Sequence, residues 1–163
     1  MKEENGAREE FTALVQAHSR AMYRAARSVL DRDADAEDAV GEAVLLAWRA
    51  FPQLRRREAA RTWLLKITVN CAHDLRRRAR PTVSLEEAAA VAAPAPEELG
   101  LWELVERLPR DQRLVVTLYY YDGLTVAEMA QVLSLPQGTV KSRLSRGRER
   151  LRAMLREEGV YDL

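Results

Sequence analysis

The 163-residue sequence predicts an all-α protein: two small helical domains joined by a flexible linker. Three observations carry that expectation. Alternating apolar-polar runs of the kind that make strands are nearly absent. Only 7 glycines interrupt long stretches rich in Ala, Leu, Arg and Glu, residues that favour helix. The amphipathic pattern then stops in RPTVSLEEAAAVAAPAPEEL, where three prolines, small residues and glutamates take over, although EEAAAVAA keeps the composition of a helical turn or two. The domains expected are residues 8–80 and 99–157, with the linker at 81–98. An apolar content of 47% suffices for cores of that size.

Composition narrows the classes of function. No apolar run approaches the roughly 20 residues that span a bilayer, and MKEENGAREEF has no apolar signal-peptide core, so a cytoplasmic protein without membrane insertion is expected. One cysteine and two histidines offer neither a disulfide framework nor a zinc site, and no paired acid-base constellation appears. Neither metal, cofactor nor enzymatic activity is expected, and Cys71 reads as a small buried hydrophobe. The net charge of +1 conceals an uneven distribution: residues 81–98 hold four glutamates and no base, residues 141–156 seven bases and one acid. Basic charge concentrated in one segment is the footprint of a groove-binding surface.

In the first domain, DADAEDAVGEAVLLAWRAF opens with acids, as suits a helix N-terminus. Helical stepping from Val40 puts Val44, Ala47, Trp48 and Phe51 on its inner face. Opposite them Asp38, Glu42 and Arg49 surround Leu45 and Leu46. An apolar pair rimmed by charge marks either a protein-docking surface or burial by another helix of the same domain. In TWLLKITVNCAHDLRRR the inner stripe is Leu64, Ile67, Cys71 and Leu75. Lys66, Asn70, His73 and Arg77 then follow one another along the outer side, with Trp63 at its edge. Asn can read a base, Lys and Arg can hold phosphate, and Trp can stack on an unpaired base; an ordinary solvated face has the same pattern.

In the second domain, Leu101, Leu104, Val105 and Leu108 form one helical set and Leu114, Val115, Leu118 and Tyr119 another, both read as core. Asp122-Gly123 makes a turn that delivers the chain to Thr125, which with Glu128 forms a capping box, so a helix starts at Val126 with Val126, Ala130 and Leu133 inside. SLPQ interrupts it, and a second helix begins near residues 137–139, giving a helix-turn-helix. From Val140, steps of 100° place Leu144, Gly147, Leu151, Met154 and Leu155 within about 60° of one line. Lys141, Ser142, Ser145 and Arg146 lie outside that stripe in the first turns, where a recognition helix reaches base edges. Arg143, Arg148 and Arg150 flank them as candidate phosphate clamps.

With these residues assigned, DAEDAVGEAVLLAWRAF, RTWLLKITVNCAHDLRRR, LPRDQRLVVTLYYYDGLTVAEMAQVL and LPQGTVKSRLSRGRERL, in that order around an acidic linker, resemble the bacterial RNA polymerase sigma factors of the sigma-70 family. The similarity is to the extracytoplasmic-function group, which has only regions two and four, and it covers about residues 11–155. It implies that residues 38–51, with Asp38, Glu42, Leu45, Leu46 and Arg49, dock on core RNA polymerase. It implies that residues 55–77 meet the minus-ten element as duplex and as melted non-template strand, with Trp63, Lys66, Asn70, His73 and Arg77 in contact and Asn70 in the base-reading position. Lys141, Ser142, Arg143, Ser145, Arg146 and Arg148 would contact the minus-thirty-five element. An anti-sigma factor is a further candidate partner. Gly41 and Val44 stand where the family often has glutamine and phenylalanine, and Ser134 where glycine is common. The rival reading, a helix-turn-helix regulator that is not a polymerase subunit, calls for an α/β receiver or ligand domain, which the first half does not suggest.

Overall fold

The computed structural model describes residues 1–79 and 100–159, and these form two compact units, one on each side of the intervening stretch. Every regular element among them is helical. The proposed linker at 81–98 lies outside the described residues.

The first unit contains α1 (Lys2–Val29), α2 (Asp33–Ala50) and α3 (Ala60–Arg78), with short 3-10 turns at Phe51–Gln53 and Arg57–Ala59 between the last two. Its core comes from Phe11, Met22, Ala25, Ala26 and Val29 of α1 and Leu64, Leu65, Thr68, Val69, Cys71 and Ala72 of α3. The α1–α2 corner is held by Asp33, whose Oδ1 accepts from the Tyr23 hydroxyl at 2.8 Å and from Arg27 Nε at 2.9 Å. Arg27 is buried there and also donates through Nη1 to the Leu30 carbonyl, so its charge is paired and hydrogen-bonded as burial requires.

The inner face of α2 differs from the expectation. Ala36, Ala39, Ala43 and Ala47 are fully buried, while Val40 and Val44 are half-buried and Trp48 is 40% exposed. Only methyl side chains fit where α2 lies against α1 and α3, so the larger apolar residues are displaced to the edges. Of the expected face, Ala47 and Phe51 are inside. On α3, Leu64 and Cys71 are buried as expected and Ile67 and Leu75 are half-buried, because the stripe widens onto two neighbouring helices.

The second unit contains α4 (Leu101–Glu106), α5 (Arg110–Tyr120), α6 (Val126–Leu133) and α7 (Gln137–Glu157). The central helix α5 packs on all three others and is buried continuously from Gln112 to Leu118. Leu104, Val105 and Leu108 join that core, but Leu101, at the first turn of α4, is 49% exposed and Tyr119 is half-buried. On α6 the fully buried residues are Met129 and Val132, with Val126, Ala130 and Leu133 only half-buried. The inner face is thus turned toward Met129, which fills the space between α5 and α7 better than Ala130 does.

Candidate nucleic-acid interface

The helix-turn-helix is built as its sequence dictates. The Thr125 hydroxyl accepts from the Glu128 amide at 3.1 Å, and the Glu128 carboxylate accepts from the Thr125 amide at 3.0 Å, closing the capping box that starts α6. Helix α6 ends at Ser134, which takes the left-handed conformation (φ 54°, ψ 45°) normally left to glycine. The Leu135 amide reaches back to the Ala130 carbonyl, and Pro136 then leads into α7. The turn therefore keeps the left-handed corner despite its serine.

Helix α7 seats Val140, Leu144, Gly147 and Leu151 on the unit, with Met154 and Leu155 half-buried. A Cβ on Gly147 would lie 2.7 Å from Val116 Cγ2, so the absence of a side chain is what lets α7 cross α5 this closely. Lys141, Ser142, Ser145 and Arg146 are all exposed on the other side. The Ser142 hydroxyl donates to the Gly138 carbonyl at 3.0 Å, leaving its oxygen lone pairs outward. The flanking arginines differ from one another. Arg150 is exposed, Arg143 leans toward Asp111 with Nε 3.8 Å from Oδ2, and Arg148 Nε donates to the Tyr120 hydroxyl oxygen at 2.6 Å. The part played by Tyr120 was not legible in the sequence, where YYY reads only as the end of an apolar helix face.

Along α3, Lys66, Asn70 and Arg77 are exposed, and Asn70 makes no hydrogen bond from its amide group within the described residues. Arg77 pairs with Asp74 one turn back. His73 is half-buried; burial first, then Arg76 and Arg77, hold its pKa below the usual histidine value against the opposing pull of Asp74. It is therefore a neutral hydrogen-bonding group at neutral pH. Trp63 is half-buried with its ring 6.5 Å from that of Phe51, at the end of an aromatic group that includes Phe11 and Trp48. The expected stripe is thus brought to one side of α3, with its tryptophan wedged and its asparagine open.

On α2, Leu45 is 62% and Leu46 43% exposed, so no helix of the described residues buries the pair. Asp38 and Arg49 are exposed beside them, and Glu42 pairs with Arg78 of α3 at 3.4 Å. Trp48, assigned to the core by its periodicity, instead adds to the apolar surface. Among the described residues there is no cluster of metal-ligating side chains and no helix long and apolar enough to cross a membrane. Cys71 is buried, which raises its thiol pKa to about 11.

The comparisons with known proteins follow this division. The family model described as Sigma-70 region 2 matches residues 14–82, and that described as Sigma-70, region 4 matches residues 99–151. The ECF RNA polymerase sigma factor SigM of Mycobacterium tuberculosis is 36% identical over 155 residues, spanning 92% of this chain and 79% of that protein. The structure of CnrH in complex with the cytosolic domain of CnrY superposes with a TM-score of 0.65 at 30% identity, covering 92% of this chain and 90% of that one. The sigma factor RpoE of Bartonella quintana, solved with the anti-sigma factor NepR, shares the fold with a TM-score of 0.73 at 24% identity over 91% and 98% of the two chains. The chain belongs to the sigma-70 family of RNA polymerase sigma factors, in its ECF group.

Proposed function

We propose that this sigma factor binds core RNA polymerase through α2, places its two helical domains on two promoter elements, and captures unpaired bases to favour strand opening. The single observation that supports the reading best is the division of α7. Four polar residues suited to base edges, Lys141, Ser142, Ser145 and Arg146, stand exposed opposite a buried apolar stripe. Residues 8–80 are the minus-ten and polymerase-binding domain, residues 99–157 the minus-thirty-five domain. Asn70 reads a base, Lys66 and Arg77 neutralise backbone charge, His73 offers a neutral donor and acceptor, and Trp63 supports the base that leaves the stack. The α2 surface of Leu45 and Leu46, rimmed by Asp38, Glu42 and Arg49, docks on polymerase.

The chain performs no covalent chemistry itself and works in the cytoplasm, where polymerase and promoters are. Two small DNA-contacting domains bind weakly alone, but polymerase fixes their separation, so the second contact forms at high effective concentration. The relative CnrH was solved with the cytosolic domain of CnrY, and by analogy an anti-sigma protein that competes with polymerase for this chain is proposed as a further partner. Run-off transcription with purified core polymerase on genomic promoter fragments tests the reading: discrete transcripts that need both components are expected, and no initiation above core alone would reject it.

A further inference from the structure

We propose that Arg148 is a positioning residue, tethered to Tyr120 so as to fix the rotation of the recognition helix, rather than a phosphate clamp. The proposal rests on the reading of α7 as the base-reading helix. By sequence spacing Arg148 falls about 20° from Lys141 around α7, an edge from which an arginine could reach DNA backbone. Its head group is turned elsewhere. Nε donates to the Tyr120 hydroxyl oxygen at 2.6 Å, and the guanidinium carbon sits 4.9 Å from the Tyr119 ring centroid and 5.6 Å from that of Tyr120. The two rings meet edge to face at 4.9 Å, which braces the acceptor. Arg148 also lines a cavity of about 390 Å³ with Leu101, Val105, Val116 and Leu151, on the side where α7 faces α4 and α5.

The need for such a tether follows from how α7 is seated. Its fully buried stripe is only Val140, Leu144, Gly147 and Leu151, and at the crossing the Val116 methyl meets a glycine, so α7 itself contributes no side chain there to resist rotation. Apolar burial is non-directional, whereas a hydrogen bond constrains both distance and angle. Rotation of α7 by about 20° would move a side-chain tip about 5–6 Å from the axis by roughly 2 Å, enough to break a hydrogen bond to a base edge. Ser145 and Arg146 lie within one turn of Arg148, so they feel that rotation directly. Tyr120, 53% exposed and remote from the proposed readers in sequence, thereby acts on base selection through Arg148.

The test uses reconstituted holoenzyme on a promoter found by run-off, comparing it with the same promoter changed at one upstream base pair, over a series of salt concentrations. Tyr120→Phe keeps the ring and removes the polar acceptor; Arg148→Lys keeps the charge and loses the fork. Each is expected to reduce discrimination by about three- to tenfold, part of what a well-aligned base contact supplies. The double variant should be no worse than the more affected single one, because both cut the same tether. Arg148→Ala should leave the slope of log affinity against log salt unchanged, while Arg150→Ala lowers it by about 0.9, the loss of one phosphate contact. A slope reduced by Arg148→Ala together with a wild-type Tyr120→Phe would overturn the proposal in favour of a clamp. Discrimination preserved in all variants, with only thermal stability lowered, would overturn it in favour of a purely structural bond. Absence of selectivity in the wild-type holoenzyme would instead overturn the function itself, and the tether with it.

Discussion

Replacing Gly147 with alanine pits two known effects against each other at one atom. In a helix interior alanine is favoured over glycine by about 1 kcal/mol. The new Cβ, however, would lie 2.7 Å from Val116 Cγ2, about 1 Å inside the usual carbon-carbon contact. Val116 is 1% exposed and β-branched, with one favoured rotamer in a helix, so it cannot swing aside. Gln112 Cβ at 3.6 Å and its carbonyl oxygen at 3.7 Å close the other side. Separating α5 and α7 to relieve the overlap costs about 1–3 kcal/mol, for a net loss centred near 1 kcal/mol. That corresponds to a fall of about 4–8 °C in Tm for a unit of this size, followed by circular dichroism. Gly41→Ala is the internal control. It lies in α2 with nothing within 4 Å of the added Cβ, so the same exchange should raise stability by about 1 kcal/mol. Adding Val116→Ala to Gly147→Ala should cost less than it does in the wild type. If Gly147→Ala raised Tm as Gly41→Ala does, the argument that glycine is required by the crossing would be wrong.

Ser134→Gly should stabilise the second unit by about 0.5–1 kcal/mol, because φ 54° strains an L-residue more than glycine gains in unfolded entropy; an unchanged urea midpoint would contradict that strain. Asn70→Ala should impair opening more than closed-complex formation, so a pre-melted promoter should restore activity, and wild-type activity on duplex would remove the base-reading role. Arg146→Ala should relax preference at one upstream base pair by about 1–3 kcal/mol if it reads guanine; uniform weakening across all sequences would make it a phosphate contact. The Cys71 thiol, raised to about 11, stays protonated at pH 8 in the folded state, so a thiol reagent should label it only on unfolding, and rapid labelling of native protein would place it outside the core.

Much of this was legible in the sequence because the relevant signals are local. The Thr125–Glu128 box, the Asp122-Gly123 turn and the stripe of Val140, Leu144, Gly147 and Leu151 depend on neighbours in the chain, and the structure has each of them in place. The same stepping put Leu45 and Leu46 opposite the expected core face but left open whether another helix of the domain covers them, and only the packing of the unit shows them exposed. What failed depended on the partner helix. Apolar bulk pointed to Val40, Val44 and Trp48, but close helix approach selects Ala36, Ala39 and Ala43 beside the expected Ala47, and no scale of hydrophobicity contains that distance. Met129 displaced Ala130 for a related reason, the volume to be filled. The Arg148–Tyr120 bond joins residues 28 positions apart, and neither has a motif to announce it.

The division of labour between the two domains and polymerase is tested most directly by footprinting a promoter with the chain alone, with core alone and with both. Protection of two separated elements, with reactive unpaired bases at the downstream one, is expected only when both proteins are present. Equally strong protection of the upstream element by the chain alone, unchanged when core is added, would contradict it and identify a regulator that acts outside polymerase.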